Sequence, residues 1–190
     1  MTIPQSWQGE AFNQSQESEN RIHSDAVARE YGFKGGLVPG VTVSAYLIHP
    51  AVEAWGLDWL GRGRASVTVG KPLYDGRPFR VELSDATERS YRAVLIDEED
   101  VECATASVEL PEELPPPPEF RGDPRIEKGF ERPPGTRDLM EGLRKQAMRA
   151  LRARWDETAP IASYLRDPSR MPEPLRADGG GYANPANTLG

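Results

Sequence analysis

The sequence predicts an α+β domain in which an antiparallel sheet wraps one long central helix. Three observations predict it. The run LVPGVTVSAYLI from Leu37 to Ile48 is apolar on almost every face, which suits a helix buried on all sides. After Gly61 the apolar period changes to two and stays there to Leu110, as half-buried strands require. Thirteen of the eighteen prolines follow Leu110, so regular structure is concentrated before it. The expected organisation is a domain over 1–112, a Pro-rich linker over 113–135 and a helix-bearing segment over 136–190.

The elements follow in order. SWQGEAFN, residues 6–13, alternates weakly and forms a short first strand, and Gln14 to Asp25 is a polar loop. DAVAREY is a short helix that Asp25 can cap and Gly32 ends. The long helix follows; its valines would also allow a strand, and its length favours the helix. Pro50 removes a backbone donor and is expected to kink or end it near His49, which then satisfies the helix end. RASVTVGKPLY puts Ala65, Val67 and Val69 on one face, with Gly70-Lys71-Pro72 marking a bulge or a sheet edge. RPFRVELSDATE alternates through Phe79, Val81 and Leu83, and SYRAVLI and VECATASVEL form a hairpin around a solvated acidic tip, Asp97–Asp100. Trp7, Trp55, Trp59 and Trp155 are core or interface anchors. LPPPPEF is a polyproline-type spacer. Thr136 to Trp155 reads as an amphipathic helix, capped by Thr136, with a stripe of Leu139, Leu143, Ala147, Ala150 and Leu151 and a basic opposite face that is solvated or an interface. GGGYANPANTLG reads as the truncated start of a second unit.

Composition narrows the function classes. Lys and Arg number 23 against 30 Asp and Glu, a formal charge of −7, which argues against a general nucleic-acid or anionic-membrane binder. No apolar run approaches the ~20 residues of a membrane span. The N-terminus lacks a basic region followed by an apolar one, so a cytoplasmic location is expected. Cys103 is the one cysteine and His23 and His49 the two histidines, too few for a His/Cys metal site.

The specific signal lies between Glu17 and Tyr46. Asn20-Arg21-Ile22-His23-Ser24-Asp25 precedes the short helix, and AREYGFKGGLVPG leads into the long one. Together, in this order, they resemble the MaoC-like acyl dehydratases and (R)-specific enoyl-CoA hydratases, which have the hot-dog fold. Their motif is Asn-Pro-hydrophobic-His followed by a short helix, then aromatic-Gly-Gly-hydrophobic-hydrophobic-His-Gly opening the central helix. Arg21 here replaces the motif's Pro, and Pro39 replaces its second His. The resemblance covers residues 6–110.

Hydrating an enoyl thioester needs a base to activate water, an acid to protonate the α-carbon and donors aimed at the thioester oxygen. The resemblance implies that His23 takes the acid–base place and Asn20 orients the water. It implies that the backbone N–H of Gly40 holds the oxygen at the helix N-terminus, with Gly36 of the glycine segment on the same substrate-binding surface. The family's catalytic Asp falls at Ser18, which can hold a water but cannot take its proton near neutral pH. Glu17 and Glu19 flank Ser18, and either could stand in. The substrate carries its own CoA or phosphopantetheine, so no cofactor or metal is expected. The expected activity is reversible water addition to an enoyl-CoA or related thioester; the alternative is a non-catalytic hot-dog partner completing another unit's tunnel. A hot-dog thioesterase ranks last, because no Asp or Glu falls between Gly40 and Pro50. A single layer leaves a sheet edge uncovered, so a homodimer or tandem double hot-dog is expected.

Overall fold

A computed structural model describes residues 2–15, 25–113, 122–123, 136–145, 150–151 and 163–182. The chain runs β1 (Trp7–Glu10), α1 (Asp25–Glu30), α2 (Gly40–Arg62), β2 (Arg64–Val69), β3 (Pro78–Ser84), β4 (Ser90–Asp97) and β5 (Glu102–Glu109). The strands form one antiparallel sheet in the order β1-β3-β4-β5-β2, with α2 packed against it. This is the hot-dog arrangement, and the fold class is α+β.

The period-two expectation holds where strands have sheet on both sides. Phe79 and Val81 of β3, Tyr91, Ala93 and Leu95 of β4 and Ala104, Ala106 and Val108 of β5 are buried in one core with Val43, Tyr46, Leu47 and Ala51 of α2. Their counterparts on β2 differ. Val67 is half-buried while Ala65 and Val69 are exposed, because β2 is an edge strand hydrogen-bonded only to β5. Gly70 and Lys71 both donate to the Cys103 carbonyl, which closes the strand as its Gly-Lys-Pro sequence predicts.

Pro50 corrects the sequence expectation. Helix α2 continues through it to Arg62, and the break lies at Gly56, whose φ of 55° and ψ of −132° suit glycine and strain any other residue. Pro50 cannot donate to the Tyr46 carbonyl one turn back, an orphan that normally destabilises a helix interior. Here the Trp7 indole of β1 supplies the missing donor, with Nε1 3.0 Å from Tyr46 O. The Tyr91 hydroxyl of β4 donates likewise to Leu47 O at 2.8 Å. An unmet buried carbonyl costs about 1–3 kcal/mol; the Trp7 indole meets the one that Pro50 leaves, so the sheet supports the helix at its proline.

The contacts group residues 161–190 with 1–114, and 115–160 separately. Within the first unit, 163–182 forms two 3₁₀ turns, Pro168–Arg170 and Glu173–Leu175, and buries Tyr164, Leu165, Met171 and Leu175 in the core. Burial of each of the last three is worth about 1.5–3 kcal/mol relative to exposure, so this segment is part of the domain's packing. The intervening unit contains a parallel pair, β6 (Gly122–Asp123) with β7 (Ala150–Leu151), and α3 (Arg137–Lys145). Thr136 caps α3 through Leu139 N. The helix is expected to reach 155; it is described over Arg137–Lys145, and Ala150 and Leu151 are strand residues instead. Trp155 and 183–190 lie outside the described residues.

Candidate functional site

Ser18, Asn20 and His23, with Glu17 and Glu19, lie outside the described residues. The structure does describe what surrounds their segment in the chain: the strand end that leads into it, and the glycine loop and helix start that follow it.

Gly40 opens α2. Pro39, in the N-cap position, has no side-chain oxygen to cap the helix, and the first turn carries no acid. Thr42 and Val43 turn their N–H groups back onto the Pro39 carbonyl, which leaves the N–H groups of Gly40 and Val41 at the helix tip. The positive end of the helix dipole is therefore uncompensated by any first-turn side chain. Gly40 is exposed, and a methyl group built on it would touch nothing within 4 Å. Among the described residues, close packing does not demand glycine here.

Gly36 is buried one step upstream. The loop carrying it runs along Leu73–Asp75: Val38 N donates to Leu73 O, Leu37 bridges Tyr74, and Asp75 N donates to Gly36 O. A cavity of about 150 Å³ opens beside it, with Gly35 and Gly36 on one wall and Asp97, Glu98 and Glu99 on another. The acidic tip is thus more than a solvated turn. Lys34 Nζ binds both Glu99 oxygens at 2.7 Å, Arg77 lies 3.2 Å from Glu98, and Arg80 lies 2.8 Å from Asp100. The Glu99 carboxylate, by hydrogen bond, holds the Lys34 ammonium above its ordinary range. Three cations from two other stretches of chain, Lys34 of the glycine loop and Arg77 and Arg80 at the start of β3, therefore meet the hairpin tip.

Asp75 is the residue that sequence reasoning missed. Its Oδ1 accepts from Asn13 N at 2.8 Å and from Arg166 Nη2 at 3.2 Å. Asp75 thus joins the glycine loop, through its backbone N–H to Gly36 O, to the strand end, through its carboxylate to Asn13 N. That strand end has two more ties: Gln14 Nε2 donates to Thr42 Oγ1 in the first turn of α2, and Ser15 N donates to Asn13 Oδ1. The Asp75-Gly76 pair is a turn signal in sequence. Nothing local says that its carboxylate serves residues 62 and 91 positions away.

His49 does not end a helix. It sits within α2, buried, stacked on Trp7 at 4.0 Å, with Nδ1 2.8 Å from the Tyr164 hydroxyl. Burial, and secondarily the Arg170 charge, lowers its pKa to about 4. Nε2 lies 3.8 Å from Glu53, but that carboxylate is two-thirds exposed and too well solvated to hold a proton on the ring. The imidazole is neutral, so the contact with Glu53 is not an ion pair. With the remaining proton on Nε2, facing Glu53, the Tyr164 hydroxyl donates to Nδ1.

Stability should follow from this. Between pH 6.5 and about 4 the unfolded chain binds a proton at His49 that the folded chain refuses. Stability is therefore full above pH 6.5 and falls as pH drops, with the loss reaching about 3 kcal/mol below the folded pKa. Urea unfolding at pH 7 and pH 5 should show about 2 kcal/mol of this loss. His49→Gln should flatten the slope over that interval, and an equal slope in the variant would refute the assignment.

Among the described residues no group of three or more His, Cys, Asp or Glu side chains converges on a metal site, and no helix is long and apolar enough to cross a membrane. Cys103 is a buried free thiol, and burial raises its pKa.

No protein-family profile matches the sequence, and no curated protein matches it significantly. Similar solved structures include an (R)-hydratase from A. caviae involved in PHA biosynthesis, at 17% identity and a TM-score of 0.41 over 58% of this chain and 98% of that one. The ChsH1-ChsH2 complex from Mycobacterium tuberculosis matches at 15% identity and a TM-score of 0.41, over 56% of this chain and 92% of that one. The unliganded R-hydratase PhaJ1 from Pseudomonas aeruginosa matches at 18% identity and a TM-score of 0.38, over 68% and 94%.

Proposed function

We propose that the chain acts on acyl thioesters as a MaoC-like hydratase or dehydratase, adding water reversibly to an enoyl-CoA or a related carrier-bound enoyl group. One observation carries this reading. Among the described residues the start of α2 at Gly40 is exposed and meets no capping side chain, and Gln14, which precedes the segment with Asn20 and His23, is tied to that same helix turn. An oxyanion donor needs such a free N–H at the positive end of a helix. His23 then serves as acid–base, Asn20 orients the water, and Gly36 lies on the substrate-binding side. The thioester supplies its own carrier, so the reaction needs no further cofactor or metal.

Ser18 in the place of the family's Asp favours a second reading: a hot-dog partner that binds the thioester or completes another unit's tunnel without turning it over. Either reading expects paired units in the cytoplasm. The outer edge of β2, with Val69 45% exposed, is where a second copy would extend the sheet.

The purified chain should hydrate crotonyl-CoA slowly and leave a saturated acyl-CoA intact, and it should scatter light as a dimer. Hydrolysis of the saturated thioester would overturn the hydratase reading in favour of a thioesterase. A monomer inert to both substrates would overturn it outright.

A further inference from the structure

The segment over 163–182 is fastened to the rest of its domain by side chains. Among the described residues its backbone hydrogen bonds all close turns within the segment itself, such as Arg170 N to Asp167 O and Tyr182 N to Pro174 O. Outside itself it reaches Glu10 and Asp75 through Arg166 and the Gln8 carbonyl through Arg170, and both arginines are exposed. Exposed ion pairs add little to stability. Its buried polar tie is the hydrogen bond between the Tyr164 hydroxyl and His49 Nδ1 at 2.8 Å. An element held by side chains can open while the sheet stays closed, because no ladder bond has to break. The charged groups facing His49 are Arg170 of the segment and Glu53 of α2. From β1 comes the uncharged Trp7 ring, Glu10 being paired with Arg166, and burial holds the phenols of Tyr46 and Tyr164 above their ordinary range.

We infer that this segment is an acid-sensitive strap: protonating His49 lifts its Tyr164 end off α2 while the sheet stays folded. A neutral ring accepts the Tyr164 proton at Nδ1. A protonated ring carries hydrogens on both nitrogens, so the hydroxyl must turn and its own proton loses that acceptor. The new charge sits among the Trp7 and Tyr164 rings, with the Arg170 guanidinium as a like-charged neighbour and the solvated Glu53 as a weak counter-charge. Lifting the strap admits water to the imidazolium and takes Arg170 away from it. Both effects favour the open form. Helix and sheet have no such reason to part, since Trp7 keeps its stack on His49 and its bond to Tyr46 O. The sign follows from the two proton affinities. Docked, the ring has a pKa of about 4; lifted, it returns toward the ordinary value of 6.5. The open fraction is therefore flat above pH 6.5, grows by about tenfold per unit below it and levels off below pH 4. Between pH 7 and pH 5 the increase approaches about 25-fold.

The test is native-state hydrogen exchange of the full chain from pH 8 to pH 5, expressed as protection factors so that the intrinsic effect of pH is removed. The reporter is the Leu165 amide, which donates to Ser163 Oγ next to Tyr164; the amides of β4 and β5 are the reference. Leu165 should be less protected than β4 and β5, with exchange nearly independent of low urea. Its protection should drop by about 10–25-fold between pH 7 and pH 5. In His49→Gln, whose amide does not titrate, the drop should stay within about twofold. Constant Leu165 protection over that interval would overturn the sensitivity to acid. Protection equal to that of β4 and β5, with the same urea dependence, would mean that the segment leaves only when the domain unfolds and would overturn the strap. An undiminished drop in His49→Gln would overturn the role of the imidazole. If that variant does not fold, the native profile decides: protection level between pH 8 and pH 6.5 supports the imidazole, and a drop already under way there overturns it.

Discussion

Ser18→Asp should raise turnover of a simple enoyl thioester, by as much as the 10²–10⁴-fold that a missing general base typically costs. Water adds to the double bond only if a group takes its proton as the new C–O bond forms. A serine hydroxyl near neutral pH can hold that water but cannot take the proton. If the scaffold keeps its water site, its orienting amide at Asn20 and its helix-tip donor at Gly40, a carboxylate at position 18 restores the one absent function. In that background His23→Ala should abolish activity, because the acid that protonates the α-carbon is then missing. The opposing outcome is equally definite. If Glu17 or Glu19 is the working carboxylate, native turnover is robust, Ser18→Asp changes nothing, and Glu17→Gln or Glu19→Gln removes the activity. Steady-state rates on crotonyl-CoA for these four variants separate the two cases.

Gly40→Pro should lower the same rate by about 10²–10³-fold, the usual cost of deleting one oxyanion donor, with almost no loss of stability. Proline is favoured at the first position of a helix, where its missing N–H was not needed for the helix ladder. The preceding residue must be extended to accept it. Pro39 already is, at φ −55° and ψ 142°. The open space beside Gly40 leaves room for the ring. The substitution therefore removes a single donor from an otherwise intact helix start. Gly40→Ala keeps the N–H and serves as the comparison: it should retain most activity if the side chain clears the substrate. Equal rates for Gly40→Pro and wild type, with both folded by circular dichroism, would remove Gly40 from the mechanism.

What could be read from sequence divides along physical lines. The long helix, the antiparallel run, the 97–100 hairpin tip and the Thr136 cap are visible because each depends on spacing within a dozen residues. Pro50 misled for the opposite reason. Its cost inside a helix is local, but its remedy, the Trp7 indole, lies 43 positions earlier and is recognisable only after β1 has docked. His49 misled in the same way, since its partner Tyr164 is 115 positions away. Asp75 looked like a turn residue because in sequence it is one; its carboxylate acts on Asn13 and Arg166 across the fold. The returning segment gave no periodic signal because its four buried side chains, Tyr164, Leu165, Met171 and Leu175, sit on irregular chain with only two 3₁₀ turns and no extended helix or strand. Of the candidate site, the helix start at Gly40 was legible, while the ties around that helix start were not; Ser18–His23 lies outside the described residues.

The order in which this chain leaves a ribosome has a consequence for its folding. Sheet and central helix are complete by Leu110, but the side chain that meets His49 arrives only with Tyr164, after the whole 115–160 unit has been made. At about 5–20 residues per second, the newborn domain waits roughly 3–10 s. During that interval Tyr46 and the imidazole lack the Tyr164 ring that covers them. For those seconds the nascent chain presents an aromatic cleft to chaperones, and translation speed through the proline-rich stretch sets how long it stays open.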